Sequence, residues 1–190
     1  DVCSSDLILF KPNQIKSAIS NTGAYGRSPD IRYSLGSPDT PAFKRWFGDS
    51  EIVNEDGTPK VMYHGTRKDF TEFKGGLIFA SSSPTVANKF AANDMLYSPE
   101  KPGVEPGANI MPLYVKASNP FDYENPKHVD KLFNLVKNNY GRPSWPAAKR
   151  LISEGQFKII EENVEAIKEL GFDSLYVQEF GEKNIAVFEP

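Results

Sequence analysis

Cysteine is nearly missing from this chain. Cys3 is the one cysteine in 190 residues, which excludes a disulfide within the sequence and fits a reducing compartment. Long apolar runs are missing as well: none approaches the ~20 residues that span a bilayer, and the short run at residues 7–10 lacks the basic flank of a secretory signal. A soluble, cytoplasmic domain is therefore expected. The chain has two histidines, His64 and His128. It contains no H-E-x-x-H, no C-x-x-C, no P-loop and no G-x-S-x-G. Zinc, Walker-type nucleotide and serine-elbow chemistry have no motif to stand on, and no metal is expected. A net charge of −3 removes any global reason to expect nucleic-acid binding.

What is present is a domain's worth of core. Aromatic residues make up 12% of the chain, and 15 prolines and 14 glycines fall mainly in connecting segments, which indicates a loop-rich folded domain rather than a disordered one. Charge is segregated near the end. Residues 127–158 hold seven Lys/Arg against two Asp/Glu, and residues 159–190 hold two against eight. The basic segment includes Tyr140, Arg142 and Trp145. It reads either as a solvated helix face or as a contact surface for an anionic partner.

Residues 1–7, D-V-C-S-S-D-L, match the translated end of a common short-read sequencing adapter. They are expected to be a read-through artefact on an environmental gene fragment, and nothing functional is assigned to them. Residues 11–41 are polar and turn-rich, with no periodic run to bury. L-I-L-F-K-P near the start echoes I-A-V-F-E-P at the end. Residues 8–39 are thus expected to be the tail of a preceding module and a linker.

A short helix is expected over 41–47, with Pro41 at its start and Gly48 at its end. Strands are expected over 60–64, 77–80 and 110–116. Between the second and third, Ser83 and Pro84 open a helix with Val86, Phe90 and Leu96 on one face, and a Pro/Gly loop covers 98–109. Helices are expected over 128–138 and 146–152. In F-K-I-I-E-E-N-V-E-A-I-K-E-L-G, Ile160, Val164, Ile167 and Leu170 recur at helical spacing, which predicts one continuous helix stopped by Gly171. Strands over 173–178 and 184–188 follow, joined by an acidic turn in which Glu179 and Glu182 read as solvated. Segregated strands and helices of this kind predict an α+β fold with a mixed or antiparallel sheet.

Y-H-G-T at 63–66, the pair Phe70 and Phe73, G-L-I-F-A-S at 76–81 and S-P-T-V-A-N-K-F at 83–90 together resemble the ADP-ribosyltransferase superfamily. The branch is the His-Tyr-Glu one shared by diphtheria-type toxins and poly(ADP-ribose) polymerases. T-P-A-F-K-R-W-F-G-D-S and G-T-P-K-V-M-Y-H-G-T resemble, more closely, the ADP-ribosyltransferase modules of phage polyvalent proteins. That resemblance covers about residues 40–190. It implies a split sheet with flanking helices and NAD as substrate. It further implies a protein or nucleic-acid acceptor, delivery into a host cytoplasm, and a chain that is one module of a longer protein.

Breaking the nicotinamide–ribose bond builds positive charge on the ribose, so such a site must hold NAD bent and stabilise a cation. The resemblance makes His64 the donor to a ribose hydroxyl, and Gly65 the residue whose missing Cβ lets the nicotinamide approach. Thr66 supports the turn. Ile78 stands where the family's tyrosine belongs, with Phe79, Ala80 and Ser81 beside it and Phe90 near the second stacking position. Asn184 stands where the family's catalytic glutamate begins the last strand. An amide carries no charge, and losing such an electrostatic partner costs on the order of 10²–10³ in rate. Glu182, two residues earlier, is the expected substitute acid. The expected triad is His-Ile-Asn. The alternative is a module that kept the fold, or NAD binding, and lost the chemistry.

Overall fold

The computed structural model describes residues 15–18, 38–68, 70, 72–73, 75–92 and 108–188. Seven strands are present among them: β1 (Ile15–Ser17), β2 (Val61–Thr66), β3 (Ile78–Ala80), β4 (Asn109–Val115), β5 (Pro120–Phe121), β6 (Ser174–Glu179) and β7 (Glu182–Val187). They form two sheets. One has the order β1-β4-β2 and is antiparallel throughout. The other has the order β3-β7-β6-β5, with β5 parallel to β6 and the remaining pairs antiparallel. With helices segregated from strands in sequence, the fold is α+β, as the pattern predicts.

Six α-helices accompany them: α1 (Pro41–Phe47), α2 (Pro84–Ala91), α3 (Pro126–Val136), α4 (Trp145–Ser153), α5 (Phe157–Glu162) and α6 (Val164–Glu169). The first two start as the sequence reads. The Thr40 hydroxyl accepts from the Phe43 N–H at 3.2 Å and the Ser83 hydroxyl from Val86 at 3.4 Å, each ahead of a proline that has no N–H to satisfy. Helices α3 to α6 supply the main core. Leu132, Ile152, Ile160 and Ile167 have no exposed surface there and pack with Phe121 and Leu175 of the second sheet. A smaller core of Met62, Phe73, Ile78, Leu113, Ile185 and Val187 runs between the two sheets. On α1, Phe43, Trp46 and Phe47 form a separate aromatic cluster, with Tyr114 edge-on to Phe43 at 4.9 Å.

Two expectations change. The helix over 157–170 is broken at Asn163 (φ −114°, ψ 17°). Its buried amide donates to Ile159 O at 2.7 Å and to the Tyr140 hydroxyl at 2.9 Å, so the side chain takes a carbonyl from the helical ladder. The inward face survives the break, because Ile160 and Ile167 both stay fully buried. Within the turn-rich stretch 11–41, Ile15–Ser17 pairs with β4 and Ile15 is buried. Three residues are too short to show a period. Leu96 and residues 98–107 of the expected Pro/Gly loop lie outside the described residues. So do residues 7–12, the first copy of the terminal echo, and residues 189–190 of the second. No helix among the described residues is long and apolar enough to cross a membrane.

Candidate functional site

The two sheets meet along β2 and β3. Tyr63 and Ser81 exchange backbone hydrogen bonds at 2.7 and 2.9 Å. One residue along, His64 Nδ1 lies 2.7 Å from the Phe79 carbonyl. A carbonyl only accepts, so Nδ1 carries the proton. Burial pushes the His64 imidazole below its ordinary value of 6.5, and the bond to Phe79 opposes that only in part. The ring is thus neutral at physiological pH, with Nε2 an acceptor. Phe70 and Phe73 stand edge-on to it at 6.2 and 5.0 Å.

Around this seam lies a cavity of about 100 Å³. Strand β2 contributes Tyr63, His64 and Gly65; β3 contributes Phe79 and Ala80, with Ser81 just beyond it; α2 contributes Ala87 and Phe90. The β6–β7 hairpin adds Glu179 and Asn184. That hairpin closes through Phe180 (φ 53°) and Gly181 (φ 81°), the positive pair of a two-residue turn. Asn184 is 1% exposed. Its Nδ2 donates to Glu179 Oε2 at 3.2 Å, while its Oδ1 is buried without a hydrogen-bond partner among the described residues. Burial raises the Glu179 carboxyl above its ordinary value, and the Asn184 amide pulls it partly back.

Of the residues singled out from the sequence, His64, Gly65, Phe79, Ala80, Ser81, Phe90 and Asn184 come together around this cavity. Ile78 does not join them. Strand alternation turns it away from Phe79 into the core between the sheets, beside Ile185 and Val187, so the aromatic that reaches the cavity from β3 is Phe79. Thr66 closes the turn after β2, accepting from Lys68 N–H at 3.1 Å and donating to Lys68 O at 3.0 Å, outside the cavity. Glu182 is exposed at the start of β7 and lines a separate depression with Lys60, Tyr176 and Lys183. Gly65 has a different reason to be glycine. A Cβ there would sit 1.8 Å from the Ala87 carbonyl oxygen, so the missing side chain admits helix α2 itself.

Glu179, which reads from sequence as a solvated turn acid, lines the cavity instead. The signal for it lies in the register. With Phe180 and Gly181 as the turn, Val177 pairs with Asn184, and Glu179 stands two residues on, on the same face. In the basic segment, two of the seven cations have acidic partners: Lys149 pairs with Asp130 and Arg150 with Glu154, at 2.5 and 2.9 Å.

The two sheets thus meet at a cavity lined by a buried histidine, a buried amide and aromatic rings, and the domain is α+β. A family model described as ADP-ribosyltransferase in polyvalent proteins matches residues 54–190, and the chain belongs to that family. No curated protein and no solved structure matches it. The resemblance read from Y-H-G-T and its neighbours is therefore confirmed at the level of the family, and the domain is of the ADP-ribosyltransferase kind.

Proposed function

We propose that the cavity binds the nicotinamide–ribose end of NAD and that the domain transfers a single ADP-ribose to a macromolecular acceptor, or to water, without chain elongation. The observation that carries this is a pair of acceptors. Asn184 Oδ1 is buried and unpartnered among the described residues, and neutral His64 offers Nε2, in a cavity otherwise walled largely by apolar groups. Two acceptors suit the two hydroxyls of a ribose, each of which donates one hydrogen bond. This reverses the polarity the resemblance implies for the histidine, since a neutral imidazole bonded through Nδ1–H receives rather than donates. Phe79 and Phe90 bring aromatic rings to the cavity, which on this reading flank the nicotinamide. At about 100 Å³ the cavity is smaller than the ~300–1,000 Å³ of whole-ligand sites, so it fits the reacting end of the molecule and not all of it.

Residues 40–190 are proposed as the transferase module of a longer phage or mobile-element protein, acting in a host cytoplasm. The test is calorimetry with NAD, together with measurement of nicotinamide release. His64→Ala and Asn184→Ala each leave a ribose hydroxyl unmatched and are expected to weaken NAD binding about ten- to hundred-fold. Nicotinamide release untouched by His64→Ala would overturn the reading. One observation favours a second reading, binding without turnover: position 184, where the family places its acid, holds a neutral amide. NAD-binding heat with no nicotinamide release would establish it.

A further inference from the structure

The loss of an acid from position 184 leaves the cavity short of a negative charge only if no other strand supplies one. Strand β6 does. Glu179 lines the same cavity as His64 and Asn184, and it lies on the face of the β6–β7 hairpin that Asn184 occupies. It is half-buried, and Asn184 Nδ2 engages Oε2 alone. Among the described residues no cation pairs with Glu179 and no donor reaches Oε1.

We infer that Glu179 is the catalytic carboxylate of this site, supplied from the neighbouring strand in place of an acid at position 184. The inference rests on the NAD reading above. The bond broken is the one from ribose C1′ to the nicotinamide nitrogen, and its electron pair leaves with nicotinamide. The bond formed joins C1′ to the oxygen of water or of an acceptor hydroxyl. The proton of that O–H passes to the Glu179 carboxylate, whose charge also faces the cation developing at the ribose. Charge and atoms balance with no further reactant. Burial, which holds the carboxyl above its ordinary range, makes it the stronger base.

The same geometry explains why position 184 is an amide. A glutamate at 184 would set a second carboxylate beside Glu179 where the Asn184 amide now donates to it, and the repulsion would oppose ionisation of both groups at once. Asparagine donates to Glu179 through Nδ2 and still presents Oδ1 to a ligand. Positions 179 and 184 thus form an acid–amide pair across the two strands of the hairpin.

The test measures nicotinamide release over a range of pH, with NAD affinity by calorimetry, for the wild type, Glu179→Gln, Asn184→Glu and the double swap. Glu179→Gln is expected to lower kcat by about 10²–10³-fold while NAD still binds, and to remove the acid limb of the pH profile. Asn184→Glu alone is expected to fall below the wild type. The double swap is expected to recover at least about tenfold over Glu179→Gln, which a merely structural role for Glu179 would not produce. Wild-type kcat in Glu179→Gln, with His64→Ala defective, would overturn this inference and leave the transferase reading standing. No nicotinamide release from a wild type that binds NAD would overturn both.

Discussion

Behind β6 lie four helices, α3 to α6, and a core in which Leu132, Ile152, Ile160, Ile167 and Leu175 show no surface to water. On β2 lies one helix, α2, seated so closely that only a glycine fits beneath it. The first sheet carries His64 and the second carries Glu179 and Asn184, so the cavity has one heavily supported wall and one thinly supported one. On the reading proposed above, the site must admit a molecule larger than itself, and the groups proposed to meet developing charge sit on the wall with the larger core. The His64 strand is covered by the single helix α2 and joins the second sheet through two backbone hydrogen bonds between Tyr63 and Ser81, the His64 bond to Phe79 and the smaller core around Met62 and Ile185.

The largest effect should come from the supported wall. Ile160→Ala empties a fully buried site against the second sheet and is expected to cost about 2–5 kcal/mol, as a global loss of stability. Urea unfolding followed by far-UV circular dichroism measures it, and the NAD-binding heat of the fraction still folded should be normal. A change below about 0.5 kcal/mol, the ordinary range for a surface substitution, would mean that α5 is not integral to the core.

Gly65→Ala acts on the other wall. Its Cβ would lie 1.8 Å from Ala87 O and 2.7 Å from Ala87 C, both backbone atoms that cannot rotate away. Helix α2 must lift, at an overpacking cost of about 1–3 kcal/mol. The loss should be local. Hydrogen exchange is expected to speed at the amides of α2 and β2 while those of β6 and β7 keep their protection, and NAD binding should fall with it. Uniform acceleration across both sheets would show that the walls do not differ in the way their cores imply.

Much of this architecture is legible in the residues themselves. Pro41, and Ser83 with Pro84, announce helix starts, and the period from Ile160 to Ile167 announces an inward face, because caps and amphipathic stripes are local physics. His64, Phe79, Phe90 and Asn184 are picked out by their motifs, and the fold brings them to one cavity. Ile78 is not, because a motif alignment assigns position without saying which way a strand faces, and one step along a strand exchanges core for cavity. Glu179 escapes for a related reason: a charged residue beside a turn is usually solvated, and only the cross-strand register brings it over Asn184. The break at Asn163 combines a local bond to Ile159 O with one to the Tyr140 hydroxyl, 23 residues away, and the strand at Ile15 depends on β4; the distant partners are the part that no local pattern announces.

The smallest effect separates the walls by charge. Burial raises the Glu179 carboxyl above its ordinary value of 4.5, so the folded state holds that proton more tightly than the unfolded chain does. The stabilisation this gives is complete below 4.5 and is lost as the pH rises through the raised value. His64 runs the other way. Its lowered pKa gives stability that is present above 6.5 and is lost as the pH falls through the folded value. Glu179→Gln removes the first dependence and keeps the second. Thermal unfolding should therefore show this variant melting higher than the wild type at a pH of about 8 and losing that advantage below 4.5, with the His64 dependence unchanged. An advantage that persists into acid would place the effect of Glu179→Gln in packing rather than in ionisation, and would remove the electrical difference between the two walls.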